Sequence, residues 1–308
     1  MRKMSKIKRY KKLLLAALVL WIFFYLTGFL TGWWTVKEKL GVFPKIDAKT
    51  RLLVVAPHPD DEVLTSGGLI QWVLGNGGQV KIVFLTSGDG SRATIVQDTR
   101  KVNLSPNEFI SLGEERMKEA SKSTQILGVR ESDVVFLGFP DEGLDKTYHR
   151  HFYPADGNYA SATTKVDHVP YLGVLHPSQA YLGQNLEDDL KEAIISFSPT
   201  MVVTTHALDS HPDHKIAFLM TEEVKKELAA NWLILGSLVH FKSYPAGGGY
   251  LFPPKKLFGS DWISLELTAA ERDKKKAAFE AHGSQYSKVQ DRVLFERLNA
   301  RNEIFEIE

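Results

Sequence analysis

Apolar and polar positions along this chain alternate in a pattern that predicts a sheet with helices between its strands. A short, continuously apolar run, typical of a strand buried on both faces, covers residues 52–56, and the pattern predicts further strands at 80–86, 134–137 and 201–205. Apolar residues at helical spacing cover residues 61–74, 110–127, 186–197 and 211–228. Since strands that alternate with helices form βαβ units, we expect an α/β fold with a Rossmann-like, mostly parallel sheet flanked by helices.

A longer apolar stretch, residues 13–34, precedes this pattern and contains 22 residues without a charge. As a helix it would be about 33 Å long, enough to cross a hydrocarbon core of about 30 Å. The alternatives are a buried soluble helix, which would carry a polar face, and a cleaved signal peptide, whose apolar core is shorter and ends in small residues. The sequence favours one retained transmembrane helix before the body.

Basic residues concentrate before the apolar stretch. Residues 1–12 contain seven Lys or Arg and no acid, whereas only Lys37 and Lys39 follow closely. By the positive-inside rule, the N-terminus is cytoplasmic and the body is extracytoplasmic. Residues 35–50 show no sustained period, so we interpret them as a tether. The predicted parts are a basic segment (1–12), a membrane anchor (13–34), the tether (35–50) and the folded body (51–308).

Charge and cysteine content exclude two kinds of protein. Without the first twelve residues the chain has 31 basic and 37 acidic residues, a net charge of −6, which argues against a nucleic-acid partner. The sequence contains no Cys, so neither a disulfide nor a thiolate site is available. The chemistry must therefore come from other side chains.

The residues after the first body strand combine a histidine with three acids. His58 stands at the end of that strand, and Asp60, Asp61 and Glu62 follow it. Acids in the first turn of a helix favour its positive dipole end, which is a purely structural explanation of the carboxylates. That explanation leaves His58 out, and an imidazole with the carboxylate of Asp61 at this spacing can hold one divalent metal.

A second histidine cluster follows the strand predicted at 201–205. His211 and His214 lie three residues apart at the beginning of a helix, with Asp213 between them. Ligands of parallel sheets bind beyond the carboxyl ends of the strands, so both clusters can meet in one crevice. The sequence therefore predicts a metal site, and three protein ligands with open coordination positions are typical of a catalytic metal.

Three motifs of the body resemble those of the PIG-L/LmbE family of zinc-dependent N-acetylglucosaminyl deacetylases. They are His-Pro-Asp-Asp-Glu at 58–62, His-Pro-Asp-His at 211–214 and Ala-His-Gly-Ser-Gln at 281–285. The resemblance implies removal of the N-acetyl group from an N-acetylglucosamine-type sugar, conjugate or glycolipid, with release of acetate and a free amine. It implies Zn²⁺, and two histidines with one carboxylate also suit Fe(II).

The resemblance also implies a role for individual residues. The implied metal ligands are His58, Asp61 and His214. Asp60 would be the general base, His211 would stabilise the oxyanion and protonate the departing amine, and Asp213 would orient His211. Two residues would contact the substrate: Arg116 in an Arg-x-x-Glu motif and Asp141 in a Gly-Phe-Pro-Asp loop. The expected partners are thus an amino sugar and, through residues 13–34, a membrane.

The chain departs from the family pattern at several places. Asp209 stands where some members have a Tyr, so no Tyr role in oxyanion binding carries over, and Gly283 stands where Arg is frequent. Residues 146–183 have no family counterpart, and we interpret their histidines as loop residues rather than a second metal site. These are His149, His151, His168 and His176. The lysine run 274–276 is interpreted as a solvated helix face.

Two other function classes share part of these features. A metal-dependent amidase or esterase that acts on another sugar conjugate would use the same ligands, and only its substrates would distinguish it. The second class is a nucleotide- or carbohydrate-binding module without catalysis. Against the nucleotide module, residues 56–62 lack the Gly-rich turn that lets a backbone approach a pyrophosphate.

Overall fold

The computed structural model describes residues 2–245, 249–259 and 261–308. Within these ranges the main chain forms an eight-stranded sheet. Its strands are β1 (Gly41–Val42), β2 (Arg51–Ala56), β3 (Gln79–Thr86), β4 (Val134–Phe139), β5 (Met201–Thr205), β6 (Leu233–Ser237), β7 (Trp262–Glu266) and β8 (Asn302–Ile307). Their order across the sheet is β1-β7-β8-β6-β5-β2-β3-β4.

The strand pairing is mixed. β8 is antiparallel to both of its neighbours, β6 and β7, and the other neighbouring pairs are parallel. The predicted α/β fold is confirmed, with strands β2 to β5 close to their predicted positions. The sequence pattern did not indicate β8, because two of its buried residues, Glu303 and Glu306, are acids. They pair with Lys275 and His206 respectively, which a periodicity of apolar residues does not reveal.

Helices cover both faces of the sheet. The helices are α1 (Arg2–Lys39), α2 (Asp61–Gly75), α3 (Arg92–Thr99), α4 (Pro106–Leu127), α5 (Leu144–Arg150), α6 (Gly183–Phe197), α7 (Pro212–Glu227), α8 (Ala269–Ala281), α9 (Gly283–Tyr286) and α10 (Val289–Leu298). In β2, Leu52 and Val54 pack with α2, α4, α8 and α10, whereas Leu53 and Val55 pack with α6 and α7. Because both faces are buried, the central strands are continuously apolar.

The predicted tether is wrong as a description of residues 35–50. Residues 35–39 form the end of α1, and Gly41–Val42 is β1, which pairs with β7. Four apolar side chains of this segment are buried in the body: Val36, Leu40, Phe43 and Ile46. The pattern was missed because these side chains have no regular spacing: Val36 lies at the end of α1, and the other three lie in the irregular segments on either side of β1.

α1 itself is long and apolar enough to cross a membrane, by length and composition. Its exposed apolar side chains include Leu14, Trp21 and Phe24. Met1 of the predicted basic segment, and the side chains of residues 2–9, lie outside the described part of the chain. Length and composition alone do not distinguish an anchor from other apolar helices, so the membrane span stays a prediction.

The segment 142–183, where the sequence pattern predicts no helix or strand, packs onto the body. Tyr171 is fully buried, and its hydroxyl donates a hydrogen bond to Asp89 Oδ2 (2.7 Å). The histidines of the segment lie near the surface, as expected of loop residues. His168 Nδ1 is 3.0 Å from Asp167, and His176 Nε2 is 3.0 Å from Glu192. The segment thus contributes aromatic packing beneath a loop next to the site.

The interpretation of residues 274–276 as a solvated face is wrong for Lys275. Its side chain is fully buried, and Nζ donates to Glu303 Oε1 (2.6 Å) and to the carbonyl of Leu64 (3.3 Å). The Glu303 carboxylate also accepts from the backbone N–H groups of Gly68 and Leu69, which follow the kink of α2 at Ser66. The sequence does not distinguish Lys275, whose partner Glu303 lies on β8, from its exposed neighbours Lys274 and Lys276.

Candidate metal centre

The two histidine clusters lie at one edge of the sheet. β2 and β5 are adjacent and parallel, so the turns after Ala56 and Thr205 leave the sheet side by side. α2 begins at Asp61 after the first turn, and α7 begins at Pro212 after the second. The structure therefore brings together the two clusters that the sequence predicted to meet.

Three donor atoms converge between these turns. His58 Nδ1 lies 3.1 Å from Asp61 Oδ2 and 3.3 Å from His214 Nε2, and these last two atoms are 3.3 Å apart. Tetrahedral ligands about 2.0 to 2.1 Å from a zinc ion stand about 3.3 to 3.4 Å from one another. All three side chains are buried. The two imidazole nitrogens and one carboxylate oxygen therefore fit a divalent metal with coordination positions left open.

The two histidines of this group hold protons when no metal is bound, because nearby carboxylates raise the pKa of both His58 and His214. Burial lowers the pKa of His214, but the carboxylates of Asp61 and Asp209 outweigh it and raise this pKa to about 9. Burial raises the pKa of Asp61, but the two imidazoles outweigh it and hold this pKa well below its usual range. A metal that binds here must displace protons, so its affinity falls as the pH falls.

Asp209 is a site residue whose role sequence reasoning missed. Its Oδ1 lies 3.3 Å from His214 Nδ1 and accepts from the backbone N–H of His211 (3.0 Å). Its Oδ2 accepts from the backbone N–H groups of Val239 and His240 (2.9 and 2.8 Å). A carboxylate behind a ligating histidine fixes the ring and its tautomer. The available signal in the sequence was this acid itself, two residues before the His-Pro-Asp-His motif, where some family members have a Tyr.

Asp141 lies on the other side of the first ligand. Its Oδ1 is 3.0 Å from His58 Nε2, and its Oδ2 accepts from the backbone N–H of Gly90 (2.9 Å). The pKa of Asp141 is held far below its usual range, because His58 and Arg116 outweigh the effect of burial. Asp141 was predicted to meet a sugar hydroxyl; it lines the cleft, and its direct partner in the structure is the ligand His58.

Among the described hydrogen bonds, Asp213 meets the ring of His211 only through its backbone N–H (3.3 Å), and its carboxylate does not make the predicted contact with that ring. Its carboxylate accepts from the backbone N–H groups of Glu142 and Leu144 (2.8 and 3.1 Å) and lies 3.4 Å from His58 Nε2. Asp213 thus joins the start of α7 to the loop after β4. This placement indicates a role in fixing His58 and that loop.

His211 caps the N-terminus of α7. Its Nδ1 accepts from the backbone N–H of Asp213 (3.3 Å), so Nε2 carries the proton of the neutral ring. Burial, with the neighbouring rings of His58 and His214, lowers the pKa of His211 to about 4. The resting ring is neutral, so the predicted donation of a proton to the amine requires that His211 first gain one.

Asp60 precedes the candidate ligand Asp61 and has a strained backbone, with φ +135°. Its N–H donates to Glu62 Oε2 (2.9 Å), and its Oδ2 accepts from Arg116 Nη2 (3.2 Å). Burial raises the pKa of Asp60 to about 7, although Arg116 acts in the opposite direction. A carboxylate that titrates near neutrality beside a metal site suits general-base catalysis.

Arg116, predicted to contact substrate, is buried and holds the loop of the first motif. It donates to the carbonyls of Pro59 (2.7 Å) and Gly88 (2.9 Å) as well as to Asp60. Gly88 has φ +68°, and a Cβ there would stand 2.3 Å from Arg116 Nη1. Arg116 also lines the cleft, but its described bonds position Asp60 rather than reach outward.

The third motif supports the first from behind. His282 Nε2 lies 2.8 Å from Glu62 Oε1, and both side chains are fully buried. Glu119 accepts from the backbone N–H and the hydroxyl of Ser284 (2.7 and 2.6 Å). The Arg-x-x-Glu motif of α4 therefore joins the loop of Asp60 to the third motif.

A fourth histidine, His240, was missed by the sequence analysis. It follows β6, the neighbour of β5, and its ring centroid lies 5.1 Å from that of His214 and 5.9 Å from that of His211. His240 is exposed on the cleft wall. A lone histidine beyond the recognised motifs gave no signal, since only the sheet order brings it to the site.

The site opens into a cleft of about 520 Å³. The cleft is lined on the metal side by His58, Asp60 and Asp61, and also by α10 and the residue before it, with Lys288, Val289 and Leu294. Lys288 Nζ donates to Ser91 Oγ (3.2 Å) across the cleft floor. A volume of this size accommodates a sugar ring with part of a substituent.

Comparison with known proteins agrees with this geometry. The sequence profile of the PIG-L family, described as GlcNAc-PI de-N-acetylase, matches residues 53–225. This chain belongs to the PIG-L family. The match covers more than half of the chain and includes both histidine motifs and Arg116. The resemblance drawn from the three motifs is thereby confirmed, and with it membership in a family of enzymes that hydrolyse N-acetyl amides.

Individual relatives include the 1D-myo-inositol 2-acetamido-2-deoxy-alpha-D-glucopyranoside deacetylase of Mycobacteroides abscessus, 27% identical over 78% of this chain and 83% of that protein. The protein of the same name from Mycobacterium leprae is 34% identical over 72% of this chain and 62% of its own length. Among solved structures, a deacetylase of teicoplanin biosynthesis has a TM-score of 0.56 at 21% identity, covering 84% of this chain and 97% of that one. The N,N'-diacetylchitobiose deacetylase of Pyrococcus horikoshii has a TM-score of 0.52 at 20% identity, with 84% of each chain covered. At these identities the structures show a shared fold.

Proposed function

We propose that this protein is a zinc-dependent hydrolase that removes the N-acetyl group from an N-acetylglucosamine-type sugar, conjugate or glycolipid. The convergence of His58 Nδ1, Asp61 Oδ2 and His214 Nε2 within 3.3 Å supports the proposal most directly. The names of the relatives support the reaction, since each is called a deacetylase, and two of the names give an acetylated amino sugar as the substrate: 1D-myo-inositol 2-acetamido-2-deoxy-alpha-D-glucopyranoside and N,N'-diacetylchitobiose. The products are acetate and a free amine.

A divalent metal held by His58, Asp61 and His214 would supply Lewis-acid chemistry, lowering the pKa of water from 15.7 to about 7 and polarising a carbonyl oxygen. The residues of the chain supply the remaining functions. Asp60 accepts the proton of the attacking water, and a pKa of about 7 allows it to return that proton to the departing amine. His211 donates its Nε2 hydrogen to the oxyanion as a neutral ring, a role that its low pKa permits.

The reaction is tested by incubation of the full-length protein, in detergent, with a panel of N-acetylhexosaminides while acetate and free amine are measured. Full-length protein is required, because truncation at Arg51 would remove Val36, Leu40, Phe43 and Ile46 from the core. Equimolar acetate and amine are expected from at least one glucosamine derivative. Acetate without amine would indicate an esterase instead.

We further propose that α1 anchors the protein as a single-pass helix with its N-terminus in the cytoplasm and the catalytic domain outside. The support is the exposed apolar surface of α1 and the seven basic residues among the first twelve. Protease added to intact spheroplasts should digest a C-terminal tag while it spares a cytoplasmic control. A tag that is protected until the membrane is permeabilised would contradict the orientation.

A further inference from the structure

α1 is docked on the body along one of its faces. Arg301 Nη2 donates to Tyr25 Oη (3.4 Å), a Cβ on Gly32 would lie 3.2 Å from the ring of Tyr250, and Val36 is buried in the core. Tyr25, Gly32 and Val36 are seven and four residues apart, so they share one face of α1. The docked part of α1, from Tyr25 to its last residue Lys39, is therefore about 21 Å long.

The order of these contacts fixes the direction of α1 relative to the sheet. Tyr25 lies beside Arg301, whose carbonyl accepts from Leu267 at the carboxyl end of β7. At the other end of the docked part, Gly41 pairs with Ile263 near the start of β7. Through its two antiparallel pairings with β8, β7 runs in the same direction as β6, β5 and β2. The free part of α1 thus projects beyond the sheet edge that carries the metal site.

The free part of α1 has too few apolar residues to hold the body away from a bilayer. The charge-free residues before the first described body contact, 13–24, span about 18 Å, less than a hydrocarbon core of about 30 Å. If Trp34 marked the lipid boundary, Arg301 would lie about 13 Å inside the hydrocarbon, where a charge is expensive. If Tyr25 marked it, a core of about 30 Å would reach back to about residue 5 and enclose five basic residues of the segment 1–12. The boundary therefore lies between Tyr25 and Trp34, so the body surface beside this part of α1 is at the level of the lipid headgroups.

That surface has the composition of a lipid-contacting one. α10 leads from the catalytic cleft, lined by Val289, to a groove of about 430 Å³ along α1, lined by Arg301 and Arg272. Val289 and Val293 lie one helix turn apart and are 65% and 40% exposed. Apolar side chains between arginines match the acyl boundary and the phosphates of a phospholipid surface.

We propose that the active-site edge of the sheet faces the membrane that holds α1, and that α10 and the groove along α1 contact phospholipid headgroups. The inference rests on the proposed insertion of α1. The cleft then opens at the lipid surface, so an acetylated sugar on a membrane-embedded carrier reaches the metal site without leaving the bilayer.

The absence of cysteine permits a direct test with single-cysteine variants of the full-length protein. Val293→Cys places an environment-sensitive fluorophore on α10, and Asn76→Cys places it on the exposed turn before β3, at the opposite sheet edge. Leu18→Cys reports insertion of α1. Each labelled protein is reconstituted into vesicles of phosphatidylcholine and phosphatidylglycerol that contain a lipid nitroxide quencher near the headgroup.

The probe at position 293 should lose most of its fluorescence, the probe at 76 none, and the probe at 18 should also be quenched. Quenching at 18 without quenching at 293 would overturn the orientation and leave the anchor intact. An unquenched probe at 18 would overturn both. Acetate release tests the deacetylase proposal separately and depends on none of these probes.

Discussion

Replacing Asp209 by Asn tests whether the second ligand histidine is held by a carboxylate. Asp209 Oδ1 faces His214 Nδ1 (3.3 Å) and the backbone N–H of His211 (3.0 Å), while Oδ2 accepts two further backbone N–H groups. An Asn amide has one oxygen, so one of these two sides must meet an NH₂ group, donor against donor. The loss of charge and the mismatch both weaken the hold on His214.

We expect the zinc affinity of Asp209→Asn to fall about 10- to 100-fold, or about 1.4 to 2.7 kcal/mol, as for other residues behind metal-ligating histidines. The affinity is measured by competition with a chromophoric chelator at constant pH. Asp188→Asn, the same change at an exposed position of α6, is the matched control and should bind zinc normally. A folded Asp209→Asn protein with unchanged zinc affinity would refute the reasoning.

Three further substitutions test other parts of the site and core. Arg116→Gln removes a charge-assisted hydrogen bond worth about 1.5 to 3 kcal/mol, so the pKa of Asp60 should rise by about 1 to 2 units. Since Asp60 acts when ionised, the acidic limb of the pH profile of kcat/KM should move to higher pH by that amount. A raised KM with an unmoved acidic limb would instead support the predicted contact of Arg116 with the substrate. His211→Ala should lower kcat about 10²- to 10³-fold, as for the loss of an oxyanion donor, with metal content and the acidic limb unchanged; loss of metal would instead make His211 a ligand. Lys275→Met leaves the Glu303 carboxylate buried without its cation and should reduce the free energy of unfolding by about 3 to 5 kcal/mol in denaturant titrations, and an effect below 1 kcal/mol would show that the pair is not important for stability.

The fold was predictable where burial leaves a simple pattern. β2 and β5 lie under helices on both faces, so Leu52 to Val55 and Met201 to Thr205 are buried, and their sequence pattern predicts strands. β8 was not predictable, because Glu303 and Glu306 are buried only through partners remote in sequence. The end of α1 was missed for a related reason. Its buried apolar side chain, Val36, can be recognised as a core residue only from its contacts with the body.

The residues of the site also fall into those that a local motif predicts and those that it does not. His58, Asp61 and His214 come from two local motifs, and adjacency of two parallel strands is enough to bring them together. Asp209 and His240 belong to the site through hydrogen bonds and sheet order that no local pattern encodes. The same limit explains why predicted roles for Asp141, Asp213 and Arg116 differ from their observed partners: a motif specifies which residues are near the site, and packing decides which atoms they face.

The most direct test of the central claim compares metal content and turnover in two variants of the full-length protein. His214→Ala removes a proposed ligand and Asp60→Asn removes the proposed base next to a ligand. We predict that elemental analysis finds little metal in His214→Ala and wild-type metal in Asp60→Asn, and that neither variant releases acetate from a substrate that the zinc-loaded wild-type protein deacetylates. Full metal occupancy in His214→Ala, or normal acetate release by Asp60→Asn, would contradict the account.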